Sequence, residues 1–283
     1  MPARTPPTVR LRRLASRLFK LREAQGLSRE DVAERTGINP ATLYRIEKAR
    51  GRPQARTLQA LLALYEVEPA ERVQLLQLLK DAGRRGWLQA YENELPEEYS
   101  AYIEFEDQAR EVWNYESLYI PGLLQTEEYA RAVIPGGMPA LSPDEVEQRV
   151  AVRMERQGVL RRPSPLHLWA ICDEAALHRV VGGVQVTREQ LLHLVEMAKL
   201  PNVTLQVIPF DAGAHPGMPG SFVVMNFPAD PSVVYIDSMA GDLFLEEEAE
   251  VRRYSGIYEH LRAVALSPAV SVDLVRCRAE ACE

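Results

Sequence analysis

The chain has 283 residues, 46% of them hydrophobic, a formal charge of −7 and three cysteines. That length predicts two domains, and the lack of any run of about 18 apolar residues, or of an apolar stretch behind the charged start MPARTPPTVRLRRLAS, argues against a membrane span and a secretory signal. Cys172, Cys277 and Cys282 are too scattered for a disulfide framework and form no C-x-x-C pair, so the expectation is a cytoplasmic protein with reduced thiols, no structural metal and no membrane partner.

The net charge conceals a partition. Residues 1–60 carry 14 Lys/Arg against 5 Asp/Glu, a net +9, and the remaining 223 carry 19 against 35, a net −16. Clustered positive charge attracts a phosphate backbone through counterion release, and an acidic remainder is repelled by it.

In chain order, residues 1–9, with Pro2, Pro6 and Pro7, read as a disordered arm. Leu11, Leu14, Leu18 and Leu21 recur at spacings of three and four, which predicts an amphipathic helix from Val9 or Arg10 to Gln25, ended by Gly26. Ser28 caps a second helix over 29–36 that stops at Gly37, where a sharp turn needs left-handed backbone. Asn39 caps a third, with Pro40 at its first position, running to about Lys48. Helices over 56–66 and 70–82 follow, separated by Pro69. Residues 87–98 read as a connector. Helices are then expected over 99–118 and 126–133, with PGLLQT as a turn between them, a Pro/Gly loop over 134–142, and a helix opened by Ser142 and Pro143 that runs to about Gly158. Strand signals come only afterwards, over 166–171, 203–209, 221–227 and 233–237, with helices over 174–181, 187–199 and 246–265. The fold class expected is a mainly α, five-helix N-terminal domain over 10–86 followed by an α+β domain over 99–278 with a small mixed sheet.

Two short helices joined by a glycine turn, the second polar on its outward face, suffice to place side chains in a DNA major groove. The segment LREAQGLSREDVAERTGINPATLYRIEKARGRP resembles the XRE, or Cro/C1-type, helix-turn-helix family in its helix starts, Gly37, Glu47 and the terminal Arg52-Pro53. The resemblance implies that the third helix is the recognition helix, with Asn39, Ala41, Thr42 and Arg45 as base contacts. Arg45 is the best base reader of these, because a guanidinium forks onto the O6 and N7 of guanine. Pro40 departs from the polar residue common at that position. Arg29, Tyr44, Lys48, Arg50 and Arg52 are expected on phosphates, setting register without reading sequence. The resemblance also implies that Glu47 pairs with Arg22 as a structural ion pair. Blander roles compete: Asn39 is first a cap, and Arg12, Arg13 and Arg17 suit a solvated helix face.

The remainder resembles a domain of undefined activity that follows such motifs in actinobacterial regulators, through YIEFEDQARE, PGLLQTEEYARAV, VRMERQ, HLWAICDEAALHRVVGG and QLLHLVEMAKLPNVTLQVIPFDAGAHPGMPGSFVVM. This implies an effector- or partner-binding module, in some members an antitoxin-like pairing with a small companion protein, and supplies no catalytic residues. The loop over 211–220 reads as a pocket lid or a plain strand connection. Cys172, Asp173, Glu174 and His178 lie close enough to suggest a thiol nucleophile or a metal, but Cys172 closes an apolar strand, where inert cysteines prevail, and no G-x-S-x-G, P-loop, G-x-G-x-x-G or H-E-x-x-H occurs. His193 lies on an apolar helix face and His215 in a loop, both read as structural or solvent-facing. Glu246 to Glu248 read as a solvated helix start. The expectation is a non-enzymatic, homodimeric regulator of double-stranded DNA, without cofactor, whose C-terminal domain senses a small-molecule effector or a companion protein; the rival is an antitoxin-like protein that sequesters a small partner and regulates its own operon.

Overall fold

The computed structural model describes residues 9–81, 91, 95–228, 230–238 and 241–282, and these fall into two compact units, 1–105 and 106–283. Of the predicted arm over 1–9, residues 1–8 lie outside the described residues and Val9 is the first residue of a helix, and most of the predicted connector also lies outside the described residues.

The first unit is helical: α1 (Val9–Ala24), α2 (Arg29–Thr36), α3 (Pro40–Glu47), α4 (Ala55–Leu64) and α5 (Pro69–Asp81). Pro69 opens α5 as its first residue, where a missing N–H costs nothing, instead of standing between two helices. Leu14, Leu18, Val32, Leu43, Ile46, Leu58, Leu61, Leu62 and Tyr65 form one buried cluster to which α1, α2, α3 and α4 contribute, so each short helix owes its stability to this shared core more than to propensity.

Past α6 (Glu97–Gln108), the second unit is α+β around a six-stranded sheet of order β3-β2-β1-β4-β5-β6. Its strands are β1 (Glu111–Glu116), β2 (His167–Asp173), β3 (Val203–Ile208), β4 (Phe222–Asn226), β5 (Val233–Ile236) and β6 (Leu243–Leu245). The first three are parallel, and β4, β5 and β6 continue the sheet antiparallel. Parallel neighbours need long crossovers, and the chain supplies α7 (Glu127–Gly137) with α8 (Pro143–Arg156), then α9 (Glu174–His178) with α10 (Val184–Met197). After the sheet come α11 (Glu248–Val264) and α12 (Pro268–Glu280). One sheet face, through Tyr115, Ile171, Ile208, Phe222, Val224 and Val234, packs on Tyr258 and Leu261 of α11. The alternate residues Val112, Leu168, Ala170, Cys172, Leu205, Val207 and Met225 are buried as well, so both faces are covered.

Two further expectations are corrected, and two elements are additional. The helix predicted over 99–118 ends at Gln108, and Glu111–Glu116 is instead a central strand, because EVWNYE is buried from both sides and its β-branched and aromatic residues suit the ladder between β2 and β4. The loop predicted from Ile134 is helical as far as Gly137 with Pro135 inside, since Ala130 and Ile134 pack on Val146 and Val150 and that burial outweighs the Pro/Gly signal in a final turn. The three-residue β6 and the helix α12, capped by Ser267 and opened by Pro268, were not foreseen.

Candidate nucleic-acid interface

The helix pair is set by local chemistry. Ser28 and Asp31 close a reciprocal capping box at the start of α2, the side chain of Ser28 accepting from the Asp31 N–H at 3.0 Å and Asp31 accepting from the Ser28 N–H at 2.8 Å. Gly37, at φ 72°, ends α2 in the left-handed conformation. Asn39 then caps α3, its Oδ1 accepting from the Ala41 N–H at 2.8 Å, with Pro40 next. Leu43, Ile46 and Glu47 point inward and are buried, whereas Ala41, Thr42, Tyr44, Arg45 and Lys48 are exposed. One side of α3 is thus spent on the core and the other is presented to solvent.

Glu47 has no exposed side-chain surface, and it is fully engaged. Arg22 Nε donates to its Oε1 at 2.6 Å, Arg29 Nε donates to its Oε2 at 2.8 Å, and Arg22 also donates to the Leu27 carbonyl at 2.6 Å. This carboxylate therefore joins α1, α2 and α3. Burial disfavours the Arg22 cation, and the hydrogen bond and charge of Glu47 offset it, leaving the guanidinium pKa raised.

The predicted phosphate contacts do not share one environment. Arg29 is tied to Glu47 and lies over the Tyr44 ring, 5.2 Å from its centroid. Arg50 is exposed and lies over the same ring at 5.8 Å. Arg52 turns away and donates to the Leu79 carbonyl at 2.7 Å, near the end of α5. Lys48 caps the end of α3 with an exposed side chain. Arg45 is exposed, and a Cβ placed on Gly51 would stand 3.7 Å from its guanidinium. Sequence reasoning missed the second arginine on Glu47 and the Tyr44 contacts; Arg29 stands fifteen positions before Tyr44 and Arg50 six after it, and no local period brings them together. Arg17, read as solvated, forms an ion pair with Glu71 of α5.

In the second unit, the 209–221 connection crosses the carboxyl ends of β2 and β1 on its way from β3 to β4. His215 Nε2 lies 3.1 Å from Asp173 Oδ2, and its side chain is 5% exposed. A Cβ on Gly217 would stand 2.5 Å from the Tyr115 ring, so only glycine lets the chain pass there. Asp173 also caps α9, accepting from the Ala175 N–H at 2.9 Å, and Glu174 accepts from the Phe210 N–H at 2.8 Å while contacting His178 at 3.2 Å. Cys172 is fully buried, and burial pushes its thiol well up, the opposite of an activated nucleophile. His193 is half-buried with its pKa lowered, chiefly by burial. Among the described residues no group of three or more His, Cys, Asp or Glu side chains is arranged to hold a metal ion. At the end of β1, burial pushes the Glu116 carboxyl up to about 7; hydrogen bonds from Ser221 and Asn114 pull it down, Asp237 pushes it up and Arg153 pulls it down. Two glutamines truss the PGLLQT segment: Gln157 donates to the Gln125 carbonyl and Gln190 to that of Leu124, both at 2.7 Å. Among the described residues no helix is long and apolar enough to cross a membrane.

No curated protein and no solved structure matches the chain. Residues 13–75 match the family model described as Helix-turn-helix domain, which covers most of α1, all of α2 to α4 and about half of α5. Residues 99–277, more than half of the chain, match the model described as Domain of unknown function (DUF5753). The chain therefore belongs to the DUF5753 family and carries a helix-turn-helix domain ahead of that module.

Proposed function

We propose that this protein is a sequence-specific, DNA-binding transcriptional regulator that lays α3 in the major groove. The observation that carries the reading is the outward face of that helix: a helix-turn-helix whose recognition helix exposes Ala41, Thr42, Tyr44, Arg45 and Lys48 on the most basic stretch of an otherwise acidic chain. Arg45 reads a guanine edge, Asn39, Ala41 and Thr42 contribute shorter contacts to neighbouring bases, and Lys48 and Arg50 face the phosphates, the Arg50 guanidinium lying over the Tyr44 ring. Arg29 reaches phosphate only through the nitrogens left free by Glu47, and Arg52 only by leaving Leu79. A homodimer is part of this reading, since helix-turn-helix proteins engage two half-sites about one helical turn apart. The DUF5753 module then receives an effector or a small companion protein. The reading is of a binding protein, not an enzyme.

The charge partition favours one second reading, in which the acidic module sequesters a small basic partner and DNA binding serves autoregulation. Selection of bound duplexes from a random pool by the full chain tests the first reading: a recurrent motif is expected, and a pool that returns no motif overturns it.

A further inference from the structure

We propose that Tyr44 is a positioning residue for Arg29 and Arg50, and that its aromatic ring, not its hydroxyl, sets how firmly this chain grips a phosphate backbone. The proposal rests on the DNA-binding reading above.

Both guanidiniums lie over one exposed ring, at 5.2 and 5.8 Å from its centroid. They reach it by different routes. Arg29, from the start of α2, is anchored by Nε to the buried Glu47 carboxylate, which spends one nitrogen and leaves the two terminal nitrogens without a described partner. Arg50 arrives by a backbone reversal. Ala49 adopts φ 51°, a left-handed conformation that non-glycine residues rarely take, and the Arg50 N–H closes back on the Arg45 carbonyl at 2.7 Å, in the manner of a Schellman turn. The reversal returns the Arg50 side chain to the helix it has just left. Among the described residues its guanidinium takes part in no hydrogen bond or ion pair, so the Tyr44 ring is what holds it.

A ring that gathers two cations keeps both near the solvent-facing side of the recognition helix. Free arginines would lose rotamer freedom on meeting phosphate, and a pre-stacked pair has lost part of it already. The attraction is electrostatic between cation and ring face, so it belongs to phenylalanine as much as to tyrosine. That separates this role from a direct contact of the Tyr44 hydroxyl with a phosphate.

The test is binding of the full chain to a mixed-sequence duplex across a range of salt concentrations, comparing wild type, Tyr44→Phe, Tyr44→Ala and Arg50→Ala. Tyr44→Phe should bind as wild type does. Tyr44→Ala should bind about three- to tenfold more weakly, with a salt slope reduced by roughly one phosphate contact, and Arg50→Ala should reproduce most of that change. Tyr44 is 38% exposed, and thermal melting by circular dichroism separates a folding defect from a binding one; Tyr44→Leu, which keeps an apolar cover, should behave as Tyr44→Ala in binding. A Tyr44→Phe variant as weak as Tyr44→Ala assigns the effect to the hydroxyl and overturns the proposal. So does a Tyr44→Ala variant with unchanged affinity and slope. A wild-type chain that binds no duplex at all overturns the DNA-binding reading and this proposal with it.

Discussion

Glu47 shows how one residue ties α3 to α1 and α2. Its carboxylate is buried and accepts from arginines on two other helices, so removing it strands Arg22, whose side chain is only 6% exposed. Losing one partner of a buried pair costs about 3–5 kcal/mol. Glu47→Ala should therefore lower the unfolding free energy of the helical unit by an amount of that order, read as a lower denaturant midpoint by far-ultraviolet circular dichroism; an unchanged midpoint would show that the pair contributes nothing. A second carboxyl makes a pH prediction. Glu116 keeps its proton in the folded state up to about 7, against an ordinary value of 4.5, so between those pH values the unfolded chain releases a proton that the folded chain retains. Stability from this group is present below pH 4.5 and is lost as pH rises toward 7. Glu116→Gln should flatten that fall, by about 1–3 kcal/mol between pH 5 and pH 8, in melting curves taken at both. Parallel pH profiles for variant and wild type would contradict the assignment.

At the level of elements, α2 and α3 were legible because each carries its own punctuation. Ser28 with Asp31, Gly37, and Asn39 with Pro40 act within four residues of the boundaries they set. In the second unit β2, β3, β4 and β5 stood out as β-rich runs bounded by Pro, Gly or Asp. Strand β1 did not, because its pairing partners stand dozens of residues downstream and a strand covered on both faces shows no alternation of apolar and polar residues. The candidate interface divides the same way. The outward face of α3 follows from helical period, but the destinations of Arg29 and Arg52 depend on where Glu47 and Leu79 sit after folding. The loop read as either lid or connection is threaded tightly across two strand ends, with Gly217 against Tyr115. Gly217→Ala should overpack that crossing and cost about 1–3 kcal/mol, with loss of near-ultraviolet dichroism from the surrounding aromatics on heating. An alanine variant that melts with wild type would mean that the loop lifts away freely.

Over the whole molecule, a net charge of +9 on residues 1–60 and −16 on the rest places attraction to DNA at one end of the chain and repulsion over the remainder. Each of the two compact units, 1–105 and 106–283, carries its own core. The proposed base reading commits the basic end of the chain to Arg45. The most direct measurement is selection of bound duplexes from a random pool by the full chain, run beside Arg45→Ala. Wild type should enrich one recurrent motif containing a guanine, while Arg45→Ala loses that enrichment yet binds bulk duplex with nearly the same salt dependence. Enrichment of the same motif by both proteins, or of none by wild type, would contradict the account.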